Sequence, residues 1–436
     1  MSKKSNEKLD LAKELISFIS ESPTAFHAVI KAKSLLKSQG FNELKEGDKW
    51  NLKFHGKYFT TKNDSALVAF AIGEGKVEEE GFKIVGAHTD TPGFRVKPCP
   101  EMIEEKKYLR LNTEVYGGPI LNTWMDRPLS IAGRVTLKSK NIMKPRIEFV
   151  NFKKPMMIIP NLAIHMNRDV NKGIELNPQK DTLPLLGMIN DEFEKENFLM
   201  KLISKELNVD IEEVLDFDLF LYEFEDGKVI GLKDEFISAS RLDDLEAVHA
   251  GLKAITDTKV KNGINVLALF DNEEIGSSTK QGADSELLSN ILERIVYSLA
   301  GSREEFFRAI ANSFMVSADG AHAVHPNKTD KSDPTSKPII NYGPALKISA
   351  NQKYTSDSFS SAIFTQICQN AEVPLQKFVN RSDERGGSTI GPISSTHLNI
   401  NAVDIGIPML AMHSIRELVG VDDHFYMYKC LKTFFN

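Results

Sequence analysis

Residues 8 to 40 set apolar side chains against charged ones at helical spacing. Leu11, Leu15, Ile16, Phe18 and Ile19 form one stripe, and Ala28, Val29, Ala32 and Leu35 form a second. Ser22, Pro23 and Thr24 lie between them, a helix break followed by a new start, so the pattern predicts two helices. The period then changes. ALVAFAIGEG at 66–75 and GFKIVGAHTD at 81–90 are apolar runs without alternation, as strands buried on both faces are, and each enters a turn. From about 93 to 235 the texture is different: LSIAGRVTLKS, IEFVNF and PMMIIP read as strands between Gly, Asn and Pro turns. One helix is expected there, at about 191–209. After 235 the alternation of helix and strand returns. LDDLEAVHAGLKAI, SELLSNILERIVYSLA and REEFFRAIANS predict helices, and INVLALFDNEEIG, FMVSADGAHAV, PLQKFVN and GIPMLAMHSIRE supply strands. Buried strands separated by helices predict an α/β fold, a mostly parallel central sheet with both faces covered. The expected organisation is a split domain, residues 1–92 and 236–436, around an inserted mainly β domain at 93–235.

Composition narrows the function classes. The 436 residues carry 60 acidic and 54 basic side chains, a formal charge of −6, so no basic excess advertises a nucleic-acid backbone. Cys99, Cys368 and Cys430 are far apart and form no CxxC pair, which argues against a disulfide framework or a thiolate metal site. The start, MSKKSNEKLD, has no apolar signal core, and no apolar run reaches membrane-spanning length. A cytoplasmic protein with neither nucleic-acid nor membrane partner is the expectation.

The polar ends of the apolar runs carry the chemistry. IVGAHTD ends in His88 and Asp90, VLALFDNEE in Asp271, Glu273 and Glu274, and FMVSADGAH in Asp319 and His322, with His325 close behind. PMLAMHS ends in His413, and SASRLDDL places Asp243 and Asp244 before a helix. In open α/β sheets ligands bind beyond the C-terminal ends of strands, and charged groups there are paired or coordinated. Singly these signals are weak, because adjacent glutamates are common on solvated faces. Together, carboxylates and histidines without thiolate suit divalent ions such as zinc, manganese or cobalt. Two ions would clamp an attacking water and a developing oxyanion. Of two adjacent glutamates, one could face a metal while the other addresses the water as general base. Asp90, two residues after His88, could orient its imidazole. RSDERGGSTIGPI is not a phosphate-binding loop, since no GKS or GKT follows its glycines.

GAHTDTPGFRVKP, ISASRLDDL, DNEEIGSSTKQGA, VSADGAHAVHPN, GPALKISANQKY and GIPMLAMHSIRE stand in this order between residues 86 and 417, after an opening ESPTAFHAV. In these motifs the chain resembles the M18 family of metalloaminopeptidases, the aspartyl aminopeptidase group. The resemblance implies a zinc-exopeptidase-like fold and two divalent metal ions per subunit, zinc first. It makes His88 and Asp319 ligands of one metal, Glu274 and His413 ligands of the other, Asp243 the bridging carboxylate and Glu273 the general base. Asp90 supports His88. The family usually has Asn after the bridging acid, whereas this chain has Asp244. His165, within the segment Ala163 to Arg168, resembles a histidine that a neighbouring subunit delivers to the substrate carbonyl. Lys347 of GPALK resembles a lysine that meets the acidic side chain of the substrate, and Gly387 and Ser388 resemble an active-site loop. The implied activity is removal of N-terminal residues from peptides, with preference for Asp or Glu. The implied assembly is a homododecamer built from dimers, with the insertion acting in oligomerisation and as a lid. A two-metal amidase or carboxypeptidase of the same fold, or an inactive assembly protein, is the alternative at this stage. His322 and His325 are assigned structural or supporting roles, and Asp422, Asp423 and His424 the capped start of a final helix.

Overall fold

The computed structural model describes residues 3–189 and 197–436. Two compact units emerge: Met1–Asp90 with Gly227–Met412 and Glu417–Asn436, and Thr91–Asp226 with His413–Arg416.

The first unit is built on a nine-stranded sheet. At its centre Phe82–His88 lies between Ile264–Phe270 and Phe314–Ala318, parallel to both, and Asn401–Gly406 continues the parallel set. Antiparallel pairing enters where Ala66–Ile72 meets Ile264–Phe270 and where Ala345–Ile348 meets Asn401–Gly406. Ala66–Ile72 and Ile264–Phe270 are buried at all seven positions. The reason is that the sheet is covered on both faces. Leu67, Ala69, Leu267 and Leu269 join a core with the helices Lys3–Ser20, Ala25–Ser38, Leu242–Asp257 and Val421–Phe435. The intervening Val68, Phe70, Val266 and Ala268 join a second core with Leu287–Ser298, Arg303–Ala311 and Ile390–Leu398. Period-two alternation thus persists in space where the sequence shows only a continuous apolar run. A five-stranded sheet, Lys228–Ile230, Phe236–Ala239, Glu417–Gly420, Pro408–Leu410 and Ala321–His322, belongs to the same unit.

The break at Ser22–Thr24 is a helix cap. Thr24 accepts a hydrogen bond from the His27 N–H at the start of Ala25–Ser38. The final helix, Val421–Phe435, does begin at the acidic pair, but its N-cap is Gly420 and no side chain caps it. Asp423 instead accepts from the N–H groups of Asn341 and Gly343, at 2.5 and 2.8 Å, and so ties down a distant loop.

The second unit is a six-stranded antiparallel sheet over its own apolar core. Leu129–Leu137 pairs with both Arg146–Asn151 and Val214–Glu223. A Cβ at Gly133 would meet the Asp218 carbonyl oxygen at 2.0 Å, so that pairing needs glycine. PMMIIP makes isolated bridges at Met157, Ile158 and Ile159 rather than a strand of its own. Among the described residues the α-helix of this unit is Phe198–Leu207; residues 191–196 of the expected helix lie outside the described residues.

Candidate metal centre

Strand register brings the candidate donors together. His88 is the partner of Phe270 across parallel strands, so the polar residues after Phe270 emerge beside it. On the other side Phe314–Ala318 runs parallel to the same strand and ends immediately before Asp319. All three runs end at the carboxyl edge of the sheet, the expected place for a ligand.

His88 is 1% exposed. Its Nδ1 is 3.0 Å from the Asp90 carbonyl oxygen and 3.4 Å from Asp90 Oδ1. Donation of the Nδ1 proton there leaves Nε2 as the free acceptor, the tautomer a metal ligand needs. Nε2 faces Asp243 Oδ1 at 3.5 Å and Asp319 Oδ1 at 3.9 Å. Donor atoms of His88, Asp243 and Asp319 all lie within 4.8 Å of one another, and so do those of His88, Glu273 and Glu274. Asp90 does a second job. Its two carboxylate oxygens accept the backbone N–H groups of Glu273 and Glu274, each at 3.1 Å. The turn that presents both glutamates is therefore pinned to the segment that orients His88.

The turns into these residues are unusual. Arg241, before the helix that carries Asp243, has φ 58°, and Asn272, before the glutamates, has φ 64°. Left-handed backbone at a side chain as large as arginine is uncommon and is held by its surroundings, a hallmark of functional turns. Arg241 donates to the Ile19 carbonyl at 3.1 Å. The Asp243 N–H donates to Glu417 Oε2 at 2.9 Å, and Asp244 Oδ2 accepts from the His88 N–H at 3.0 Å. Asp243 thus faces the imidazole while Asp244 holds the backbone of the same histidine.

The electrostatics favour a cation. Burial opposes a charge on His88, yet Asp243, Asp244, Asp319 and Asp90 hold its imidazole well above the usual range. Burial and neighbouring carboxylates push Glu273 up to about 8 and raise Glu274 and Asp244 well above ordinary carboxylates. A site that would protonate a buried imidazole is one where a divalent ion is also stabilised. Nitrogen and oxygen donors with no thiolate fit zinc, so the residues present suit the metal.

Lys347 is 3% exposed and places Nζ 3.3 Å from Asp319 Oδ2. Burial opposes its charge, but Asp319 keeps it protonated, and the lysine with His88 holds Asp319 well below the carboxylate range. Gly387 and Ser388 are exposed on a loop of the same unit, where the Ser388 hydroxyl donates to the Lys353 carbonyl at 3.2 Å. His165 and His413 belong to the second unit. His165 is exposed in a turn; His413, with φ 65°, sets Nδ1 3.1 Å from the Gly118 carbonyl. His322 is exposed and packs edge-on against Phe378.

Among the described residues of the first unit, three buried acids escaped the sequence reading. Glu417 positions Asp243, as above. Glu246 is fully buried, and neither of its carboxylate oxygens has a hydrogen-bond partner among the described residues; His424 Nδ1 lies 3.8 Å away. Asp404 accepts from the Thr355 N–H and the Thr389 hydroxyl at 2.6 and 2.7 Å. Glu246 is one turn beyond Asp243, a spacing that could have pointed to it.

Residues 18–435 match the family described as Aminopeptidase I zinc metalloprotease (M18). A protein of Clostridium novyi (strain NT) named a probable M18 family aminopeptidase 2 is 65% identical over 429 residues, covering 98% of this chain and 99% of its own. A Pseudomonas aeruginosa (strain UCBPP-PA14) protein of the same name is 41% identical over 428 residues, 98% of each chain. Among solved structures, a chain in the cryo-EM structure of the Ape4 and Nbr1 complex superposes with a TM-score of 0.95 at 33% identity, covering 100% of this chain and 87% of that one. The S. cerevesiae mApe1 dodecamer superposes with a TM-score of 0.85 at 28% identity, covering 99% and 97%. The coverage is end to end and the identity with the curated relatives is high: the chain belongs to the M18 family and is a metallo-aminopeptidase.

Proposed function

We propose that this enzyme removes N-terminal residues, with preference for Asp and Glu, using two divalent ions held at the carboxyl edge of the central sheet. The observation that carries the reading is the His88 Nε2 atom facing Asp243 and Asp319, with Glu273 and Glu274 anchored on Asp90 beside it. His88 and Asp319 would hold one ion and Asp243 would bridge. Glu274 would hold the other with His413, whose assignment rests on the resemblance of its MHSIRE segment. Zinc is the first choice, with manganese and cobalt as the other candidates. Bound, the pair would supply Lewis acidity toward the scissile carbonyl and lower the pKa of a water.

The protein's own part follows from its residues. Glu273 would accept the proton of the attacking water and return it to the departing amine. A cation nearby would draw its pKa down from about 8, so that it is ionised when it acts. Asp90 keeps the His88 ring and the glutamate turn in register. Lys347 supports the acidic preference: a buried, protonated lysine beside the donor cluster favours an anionic side chain by a charge-assisted contact. Gly387 and Ser388 would border the substrate amine or carbonyl, and His165 would reach the carbonyl from a neighbouring subunit. We assign residues 93–235 to oligomerisation and to a lid, in a homododecamer built from dimers; the solved dodecamer of a 28% identical protein supports that assembly.

Glu273→Gln is the decisive variant. It keeps size and metal donors but cannot take a proton. Metal content measured by atomic emission is expected to match the unaltered enzyme, with kcat at least ~100-fold lower, the lower end of what general-base loss produces. Near-native turnover would remove Glu273 from the mechanism.

A further inference from the structure

A cavity of about 410 Å³ opens in the first unit between the segments 322–338 and 378–385. Neither the metal-centre residues nor Lys347 line it. Its wall carries five cations, Lys328, Lys331, Lys337, Arg381 and Arg385, against two carboxylates, Asp333 and Glu384. Both carboxylates are already engaged, Glu384 with a cation of the same wall. Glu384 pairs with Lys331 at 2.6 Å, and Asp333 Oδ1 accepts the N–H groups of Thr335 and Ser336 at 3.0 and 2.7 Å. Arg381 is paired with Asp383 at 2.6 Å, just outside the wall. Lys328 and Arg385 form no ion pair among the described residues, and Lys337 acts on Asp333 only through its field. The apolar part of the wall includes Phe378, packed against His322 with ring centroids 5.8 Å apart, and Pro338.

Like charges on a concave wall repel, and the apolar side focuses their field into the cavity. An anion with several oxygens relieves that repulsion and meets the guanidinium of Arg385 as a fork. The volume falls in the range of small-ligand sites, roughly 300–1,000 Å³, larger than one monovalent ion needs. We propose that this cavity is a binding site for a multivalent oxyanion, separate from the metal centre. The oxygens could come from a free anion such as phosphate or from acidic side chains of a peptide, since both present the same chemistry to Lys328, Lys337 and Arg385, the wall cations not ion-paired among the described residues.

The test is calorimetric titration of metal-loaded enzyme with two probes, inorganic phosphate and an N-acetylated tri-glutamate amide, which has no free N-terminus to hydrolyse. Each is run on the unaltered enzyme and on the Lys328→Ala/Lys337→Ala/Arg385→Ala variant. A binding event at least ~10-fold weaker in the variant, and weakened by 0.5 M NaCl, is expected for at least one probe. Loss with phosphate identifies a free anion, and loss with the peptide alone identifies acidic side chains. Binding equal in both proteins, or absent from both, overturns the site; metal-bound phosphate would be equal in both. Hydrolysis of a leucine amide substrate should be unchanged in the variant. If it is not, the single Arg385→Gln variant decides on the same criterion, with a threshold of ~3-fold.

Discussion

Lys347 pairs with Asp319, and the proposed contact with an acidic substrate side chain can be separated from that pairing. Its ion pair with Asp319 is buried, and breaking a buried pair from one side costs ~3–5 kcal/mol. Lys347→Met keeps the volume and removes the charge. The expectation is lower stability in urea and a fall of at least ~10-fold in kcat/KM for a glutamyl relative to a leucyl substrate. An unchanged ratio would confine the lysine to Asp319. His249 and His424 lie deeper, buried with ring nitrogens 3.0 Å apart. Burial holds His249 well below its usual range and pushes His424 down to about 3. Their folded pKa values lie below the unfolded value near 6.5, so the unfolded chain binds more protons at acid pH. The contribution of the two histidines is unaffected above pH 6.5 and falls as pH drops through 6.5 toward 3, by ~1.4 kcal/mol per unit for each proton. Urea midpoints between pH 7.5 and 5.0 should decline less steeply in His424→Gln than in the unaltered protein.

Elements explain why the site stays assembled. The strand Asn401–Gly406 carries Asp404, whose carboxylate gathers the Thr355 N–H and the Thr389 hydroxyl, one from the segment before the helix Ser358–Asn370 and one from the start of Ile390–Leu398. Gly391 lets that helix approach, since a Cβ there would fall 2.4 Å from Asp404 Oδ2. Asp404→Asn would turn an amide N–H toward one of the two donors. The expected cost is ~1–3 kcal/mol, read from urea unfolding, because a buried donor is left unmatched. The long apolar runs and amphipathic stripes were legible as elements, since seven buried residues in a row admit few structures. PMMIIP was not, because its apolar residues form only isolated bridges at Met157, Ile158 and Ile159. The acids at 422–423 marked the last helix correctly in place but not in role, since Asp423 serves a loop 80 residues earlier in the chain.

For the molecule as a whole, the dominant electrostatic fact is a buried excess of carboxylates. Asp271 is raised to about 7 and Glu273 to about 8, and Glu246 well above its usual range, each chiefly by burial. These folded values exceed the unfolded ones, so without metal the folded chain holds protons that the unfolded chain has released. The contribution of these acids to the stability of the metal-free protein is then fully present at acid pH and is lost as pH rises through 4 toward 8, opposite in sign to that of the buried histidines. Chelation at pH 8 is expected to lower Tm, readable by calorimetry, and zinc at 100 times Kd to restore ~2.7 kcal/mol. The drop on chelation should be smaller at pH 6, where more of these acids are protonated.

By itself the sequence determined the α/β class, the family and the roster of candidate donors. Apolar runs must be buried, and a run that ends in His, Asp or Glu advertises where burial stops. Only the tertiary structure decided which donors meet. The pairing of His88 with Phe270, the closure of Asp90 on the backbone of Glu273 and Glu274, and the approach of Glu417 to Asp243 join residues more than 150 positions apart. Periodicity reports which face of an element a residue occupies, but strand order and register decide whose company it keeps. The same reason hid Glu246, Asp404 and the cation-lined cavity: each is ordinary in its own segment and acquires its meaning from charges that folding brings alongside it.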